Sequence, residues 1–387
     1  MKILLANKFY YRRGGDCIYM LNLEQMLRSK GHEVAVYAMQ YPENEESEWA
    51  KYWPKNMSKA DVLTRPFGAR QVVKGFTQLL DDFLPDVVHL NNIHTQLSPV
   101  IARMAHERGI RVVWTLHDTK LVCPCYTCSR DGRWCTECFT DKRAVIRHRC
   151  MPGGLIGAVI GYREIMKWSK DVLQEYVDLF LPPSQFMMDT CVAGGYSPEK
   201  FRVLCNFIDV NKVAGRKSAT KEDYYVFLGR VDDYKGITTL CNAAKCMSHC
   251  LKVIGEGPLR KSLNELYRNN ENIEFLGQLT WDELCPILAC ARFMVIPSEC
   301  SENNPLTVIE SQSLGTPVLG ARIGGIPELI EEGVSGMTFT SGDVEDLKDK
   351  IQMMFNHQFD YERIAENAVR RYSSETYYEK LLGYYER

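Results

Sequence analysis

From Ile3 onward the chain alternates short apolar runs with longer amphipathic stretches, and that alternation constrains the fold more than any other feature. Repeated β–α units of this kind build an α/β domain with a parallel sheet. In the first half the expected strands are Ile3–Ala6, Val34–Tyr37, Val87–Leu90, Val112–Thr115, Leu179–Leu181 and Val203–Leu204. After the first of them, Arg12-Arg13-Gly14-Gly15 reads as a loop and Asp16 as a helix N-cap. Tyr19, Leu23 and Met26 then share one helical face with Met20 and Leu27, and Gly31 ends the helix.

The pattern starts afresh after Asn206-Phe207-Ile208-Asp209, where the polar run 216–222 reads as a linker. Further strands are expected at Tyr225–Leu228, Leu251–Ile254, Ile273–Leu276, Phe293–Ile296, Val318–Leu319 and Met337–Phe339. A chain of 387 residues exceeds what one core usually serves. The expected division is therefore a first domain over 1–208, carrying a cysteine-rich loop at 120–150, a second over 209–370, and a docked terminal helix over 371–387.

A net charge of −2 gives no global basic field, which argues against a nucleic-acid partner. No stretch reaches the ~18 apolar residues of a membrane span, and Lys8 interrupts the start where a signal peptide would stay apolar. A cytoplasmic location is expected, with the 15 cysteines as reduced thiols rather than disulfides.

The most informative segment is Pro297-Ser298-Glu299-Cys300-Ser301-Glu302-Asn303-Asn304-Pro305-Leu306-Thr307-Val308-Ile309-Glu310, followed by Gly315-Thr316-Pro317-Val318 and Gly324-Gly325-Ile326-Pro327-Glu328. It leaves a strand, turns through polar residues and enters a helix at Pro305, so free backbone N–H groups face the carboxyl end of the sheet, where open α/β sheets bind ligands. Upstream, Gly229-Arg230-Val231-Asp232-Asp233-Tyr234-Lys235-Gly236 supplies two cations of the kind that stabilise a departing diphosphate. Either motif alone reads equally as surface charge. Together, in this order, they resemble the retaining glycosyltransferases of family 4 (glycosyl transferases group 1) of the bacterial polysaccharide type.

That resemblance covers nearly the whole chain, through Thr115-Leu116-His117-Asp118 and Asn206-Phe207-Ile208-Asp209 as well. It implies the GT-B architecture, two Rossmann-like domains with parallel sheets facing across a cleft. It implies a hexosyl-type transfer from a nucleotide-diphosphate sugar, a UDP- or GDP-sugar, to a saccharide or lipid-linked acceptor, with no cofactor required for catalysis. By the same resemblance Glu302 contacts donor-sugar hydroxyls and Glu310 the ribose. Backbone amides at Asn304, Pro305 and Leu306 cradle the diphosphate, Arg230 and Lys235 stabilise it as it leaves, and His117 orients the sugar. Asn-Asn-Pro stands where Gly-Phe-Gly is more common. In the first half, amides at Gly14 and Gly15 can approach the donor phosphates. The Gly-x-Gly-x-x-Gly fingerprint of dinucleotide-binding oxidoreductases is absent, as is any Asp-x-Asp metal triplet.

Six cysteines lie between Cys123 and Cys150. Thiolates suit a structural zinc, for which Cys123, Cys135, Cys138 and Cys150 fall nearest the pattern of the resembling subgroup. A loop of free thiols fits equally. The basic and apolar residues from Arg143 to Lys170, among them Arg147, His148, Arg149, Arg163, Leu155, Ile156 and Met166, can lie on an anionic membrane surface as a peripheral contact, or pack as an ordinary amphipathic helix. The rival functions are a GT-B phosphorylase, a nucleotide-sugar epimerase, and a non-catalytic zinc-dependent scaffold.

Overall fold

The computed structural model describes residues 1–55, 61–130, 132–217 and 220–386. Two residues of the expected linker, Ser218 and Ala219, thus lie outside the described residues. The chain forms two compact units. Unit 1 comprises Met1–Arg130, Trp134–Cys205 and Tyr377–Arg387, and unit 2 is Asn206–Thr376 with a short piece around Gly132.

Among the described residues the parallel sheet of unit 1 has five strands, β1 (Lys2–Ala6), β2 (Glu33–Tyr37), β3 (Val87–Leu90), β4 (Arg111–Thr115) and β5 (Leu179–Leu181), in the order β2-β1-β3-β4-β5. Ile3, Leu4, Leu5 and Ala6 are all inaccessible, as expected for a parallel strand covered on both faces. Val203 and Leu204 do not form a strand. Arg202 and Leu204 each donate one backbone bond to the carbonyls of Phe180 and Pro182, and a ladder that runs one way for two residues does not close.

Helix α1 (Gly15–Ser29) follows β1 and buries Tyr19, Met20, Leu23, Met26 and Leu27. Its N-cap is Gly14 rather than Asp16, which sits in the first turn. Helix α2 (Gly154–Lys167) buries Ala158, Gly161 and Ile165 but leaves Leu155, Ile156 and Met166 exposed. Among the described residues no helix is long and apolar enough to cross a membrane.

Unit 2 holds a six-stranded parallel sheet of β6 (Tyr224–Leu228), β7 (Cys250–Ile254), β8 (Ile273–Gly277), β9 (Met294–Ile296), β10 (Val318–Ala321) and β11 (Gly336–Phe339). Their order is β8-β7-β6-β9-β10-β11. Connections run outward to one side after β6 and to the other after β9, which opens a crevice at the carboxyl ends of those two central strands. Helix α3 (Leu306–Ser313) leaves that end, with Pro305 extended as its N-cap rather than inside its first turn. Helix α4 (Ser374–Tyr385) brings the chain back, and its Tyr377, Leu381 and Tyr385 are buried in unit 1.

Candidate functional site

In unit 2 the two motifs end the two strands that flank the switch point: residues 229–236 follow β6 and residues 297–305 follow β9. Tight backbone contact joins them. The Tyr234 carbonyl accepts from the Glu299 and Cys300 amides at 2.9 and 3.1 Å. Gly236, at φ +69°, lies so close that an added Cβ would stand 1.8 Å from the Pro297 carbonyl oxygen, so only glycine admits this approach.

The loops bring Lys235 and Glu302 into a direct charge-assisted hydrogen bond, and Ser298 Oγ donates to the same carboxylate oxygen at 2.8 Å. Burial pushes the Lys235 ammonium down, but the Glu302 carboxylate outweighs it and holds the group above the ordinary lysine value. Arg230 instead lies open, its side chain 61% exposed, and pairs with Asp232 at 3.0 Å. Glu310, on α3, is partly buried, and among the described residues its carboxylate has no hydrogen-bond or ion-pair partner. Burial, only partly offset by Lys212, raises it to about 7. Asn304 is buried and Leu306 half-buried at the start of α3, where first-turn N–H groups have no intrahelical acceptor. Pro305 has no N–H, so it can shape this cradle but donates nothing to it.

In unit 1 the corresponding crevice lies between β1 and β3, where connections diverge in the same manner. Gly14 and Gly15 line the loop after β1. A Cβ at Gly14 would come no nearer than 3.6 Å to its surroundings, and one at Gly15 would meet nothing within 4 Å, so the fold itself does not require glycine at either position.

His117 follows β4 and is fixed by Asn91, at the end of β3: its Nε2 lies 3.1 Å from Asn91 Oδ1, which requires the proton on Nε2. Tyr19 packs edge-on against the imidazole at 5.0 Å between centroids. Burial, opposed by Asp16, lowers the imidazole to about 4, so His117 is neutral near pH 7. Beside it Asn92 Nδ2 donates to Asp16 Oδ2 at 3.0 Å. Asn91 and Asp16 are roles that composition and spacing did not reveal; the signal available was the Asn-Asn pair directly after a buried strand. His94, half-buried after β3, packs on Trp114 at 5.0 Å and is held well below its ordinary value by burial.

Below this crevice runs a buried polar layer. His89 on β3 meets Thr115 Oγ1 through Nε2 at 2.8 Å and the Tyr385 hydroxyl through Nδ1 at 2.5 Å. Tyr19 bonds Thr115 Oγ1 at 3.2 Å and also the Tyr377 hydroxyl. Burial lowers His89 to about 3, so it is neutral, with each ring nitrogen engaged.

The cysteine loop gathers a different set of sulfurs from the quartet Cys123, Cys135, Cys138 and Cys150. Cys123 Sγ lies 3.3 Å from Cys125 Sγ, and Cys125, Cys128 and Cys138 together favour its thiolate. All four are buried, whereas Cys135 and Cys150 are half-buried. The turn from Thr119 to Tyr126 folds back on itself, with the Cys123 amide on the Thr119 carbonyl and the Tyr126 amide on the Cys123 carbonyl, which sets Cys125 beside Cys123. Among the described residues no group of three or more His, Cys, Asp or Glu side chains has the arrangement to hold a metal ion.

Comparison with known proteins bears on both units. The family described as "Glycosyltransferase Family 4" matches residues 13–212, and "Glycosyl transferases group 1" matches residues 222–357. An uncharacterized 42.6 kDa protein in the cps region of Klebsiella pneumoniae is 25% identical over 85% of this chain and 87% of its own length. An uncharacterized glycosyltransferase of Methanocaldococcus jannaschii is 30% identical over 41% of this chain, which spans 46% of that relative. Among solved structures, sucrose-phosphate synthase from Thermosynechococcus elongatus aligns over 100% of this chain and 98% of its own, with a TM-score of 0.74 at 17% identity. Anabaena HepE in complex with UDP-glucose aligns over 99% and 98%, with a TM-score of 0.70 at 16% identity.

Proposed function

The chain belongs to glycosyltransferase family 4, and from that premise we propose that it transfers a sugar with retention of configuration from a nucleotide-diphosphate donor to a saccharide or lipid-linked acceptor, in the synthesis of cell-surface polysaccharide. One observation carries the reading: Lys235, Glu302 and the start of α3 come together at the switch point of the unit 2 sheet, where such sheets bind nucleotides. HepE with UDP-glucose and the Klebsiella cps-region relative support the donor class and the polysaccharide setting.

In this reading the amides of Asn304 and Leu306 and the ammonium of Lys235 receive the diphosphate, and Arg230 adds a second cation from the rim. Glu310 accepts from the ribose hydroxyls, and Glu302 orients the sugar. As the anomeric carbon–oxygen bond to phosphate breaks, negative charge gathers on the leaving oxygen, and fixed cations lower that barrier directly. The acceptor hydroxyl forms the new bond on the same face and passes its proton to the leaving phosphate oxygen. A neutral imidazole held near 4 is a weak base, which suits His117 to orientation rather than deprotonation.

No metal takes part in this transfer. A structural zinc in the thiol loop is a separate proposal: the donor chemistry fits, but among the described residues no group of three or more ligands has the arrangement to hold an ion, so the site carries no step. The exposed Leu155, Ile156 and Met166 beside Arg163 support a peripheral, salt-sensitive contact with an anionic membrane from the cytoplasmic side. Calorimetry with UDP-, GDP- and ADP-sugars, followed by NMR of the product's anomeric proton with and without EDTA, tests the core of the reading. Binding of one nucleotide class and retention without added metal are expected. No nucleotide binding removes the donor site, and inversion removes the mechanism.

A further inference from the structure

The segment Asn206-Phe207-Ile208-Asp209 has no part in the site as described so far, yet Asn206 is fastened directly to the motif that follows β9. Its backbone N–H donates to Asn304 Oδ1 at 3.0 Å, and its Nδ2 donates to the Asn304 carbonyl at 2.8 Å. Asn304 is 5% exposed. These two bonds leave two buried polar atoms without a partner, Nδ2 of Asn304 and Oδ1 of Asn206.

Turning either amide over does not repair the deficit. A flipped Asn304 would set its NH2 against the Asn206 N–H, donor against donor, and a flipped Asn206 would set its oxygen against the Asn304 carbonyl, acceptor against acceptor. The open atoms are therefore dictated by the clasp itself: one donor and one acceptor, presented by adjoining residues. Buried polar groups left unpaired are costly, and native chains that retain them commonly satisfy them with a ligand or water.

A ligand group that both accepts and donates at one oxygen is a hydroxyl. An ionised phosphate oxygen cannot donate to Asn206 Oδ1. Asn304 stands two residues from Glu302, whose main chain is itself pinned where its carbonyl accepts from the Gly325 amide at 2.8 Å. Glu310, the ribose ligand of the proposed donor site, lies six residues further along on α3.

Resting on that donor site, we propose that Asn206 and Asn304 read one hydroxyl of the transferred sugar, which accepts from Asn304 Nδ2 and donates to Asn206 Oδ1. The pair thus determines sugar specificity, where the nucleotide is held elsewhere. It also gives Asn304 of the Asn-Asn-Pro sequence a chemical reason, since its amide supplies both the clasp acceptor and the open donor.

The test uses the full chain and isothermal calorimetry with UDP, GDP and ADP and with the glucose, galactose, mannose and N-acetylglucosamine forms of whichever nucleotide binds. The quantity read is the ratio of Kd for the bare nucleotide to Kd for its best sugar form. Asn304→Ala should lower that ratio about tenfold or more. Because loss of the clasp could unfold the loop, Asn304→Asp serves as the second variant: it keeps the oxygen that accepts from Asn206 and replaces only the open donor. Its ratio should fall by a similar factor, with the melting temperature near that of the parent. An unchanged ratio in either folded variant overturns the proposal and assigns the open atoms to water. An equal loss for nucleotide and nucleotide sugar also overturns it, in favour of a base contact or a purely structural clasp. Absence of nucleotide binding by the parent chain is a different failure, that of the donor site itself.

Discussion

The two crevices are lined differently. At the switch point of unit 2 the side chains are charged and point at one another or at open space: Lys235 with Glu302, Arg230 with Asp232, and an unpaired Glu310. At the switch point of unit 1 amides, hydroxyls and imidazoles are bonded to one another around the Asp16 carboxylate, with His117 and His89 both held uncharged by burial. Strand order explains why each crevice exists, but not this difference in lining. A charged lining suits a ligand whose charge grows during reaction. A mutually bonded lining with uncharged imidazoles suits one that must be held in place without being ionised.

The comparison is sharpened most by removing charge from unit 2. Lys235→Ala should lower turnover by on the order of 10² to 10³ with little change in unit 1, by analogy with lost oxyanion donors. Steady-state kinetics on a folded variant checks this, and near-normal turnover would break the contrast. Arg230→Ala should cost less, because that guanidinium is mostly solvated and already engaged by Asp232.

Unit 1 should respond in stability. Tyr385→Phe strips the partner from His89 Nδ1 and leaves a buried ring nitrogen unsatisfied, a loss of about 1–3 kcal/mol. Urea unfolding reads it, and a loss below about 0.3 kcal/mol would mean that the polar layer contributes little.

Glu310 should give nucleotide binding in unit 2 a pH dependence. Its carboxyl is raised from 4.5 to about 7, so it is largely protonated in the free protein below neutrality. Acceptance from ribose hydroxyls favours the ionised form, so nucleotide affinity should rise as pH climbs through about 7 and level off above 8. Stability runs in the opposite sense, because ionising a buried carboxyl disfavours the folded state as pH rises from 4.5 past 7. Glu310→Gln should flatten the affinity profile and weaken nucleotide binding about tenfold or less. Calorimetry from pH 6 to 8.5 decides it. The smallest effect belongs to Asn91→Ala, which frees the His117 ring: a few-fold loss in kcat, without a shift of the bare nucleotide's Kd.

Sequence made the unit 2 crevice legible and the unit 1 crevice mostly illegible, for a physical reason. Apolar runs such as Ile3–Ala6 and Tyr225–Leu228 announce strands because both faces are covered, and acids and cations clustered after two such runs stand out against the pattern. Asn91 could not be found in this way. Its importance comes from β3 and β4 lying side by side, which brings a residue 26 positions away to His117. The Asn206–Asn304 clasp spans 98 positions and depends on tertiary closure alone. Boundaries misled where local preference was overruled: Asp16 yields the cap to Gly14, and Pro305 precedes its helix rather than opening it. In the cysteine loop spacing offered several pairings, and the backbone turn at Thr119–Tyr126 selected Cys125 as the neighbour of Cys123.

Tyr377 and Tyr385 return to unit 1 after the whole of unit 2 has been traversed. A ribosome that has finished Cys205 must still add about 180 residues before Tyr385 exists, which at roughly 5–20 residues per second takes about 10–40 s. Through that interval the nascent amino-terminal unit carries His89 and Thr115 with an unfilled gap where helix α4 will sit. The order of synthesis therefore makes the last helix a closing latch, and a nascent chain stalled or clipped before it would present that open seam to chaperones and proteases.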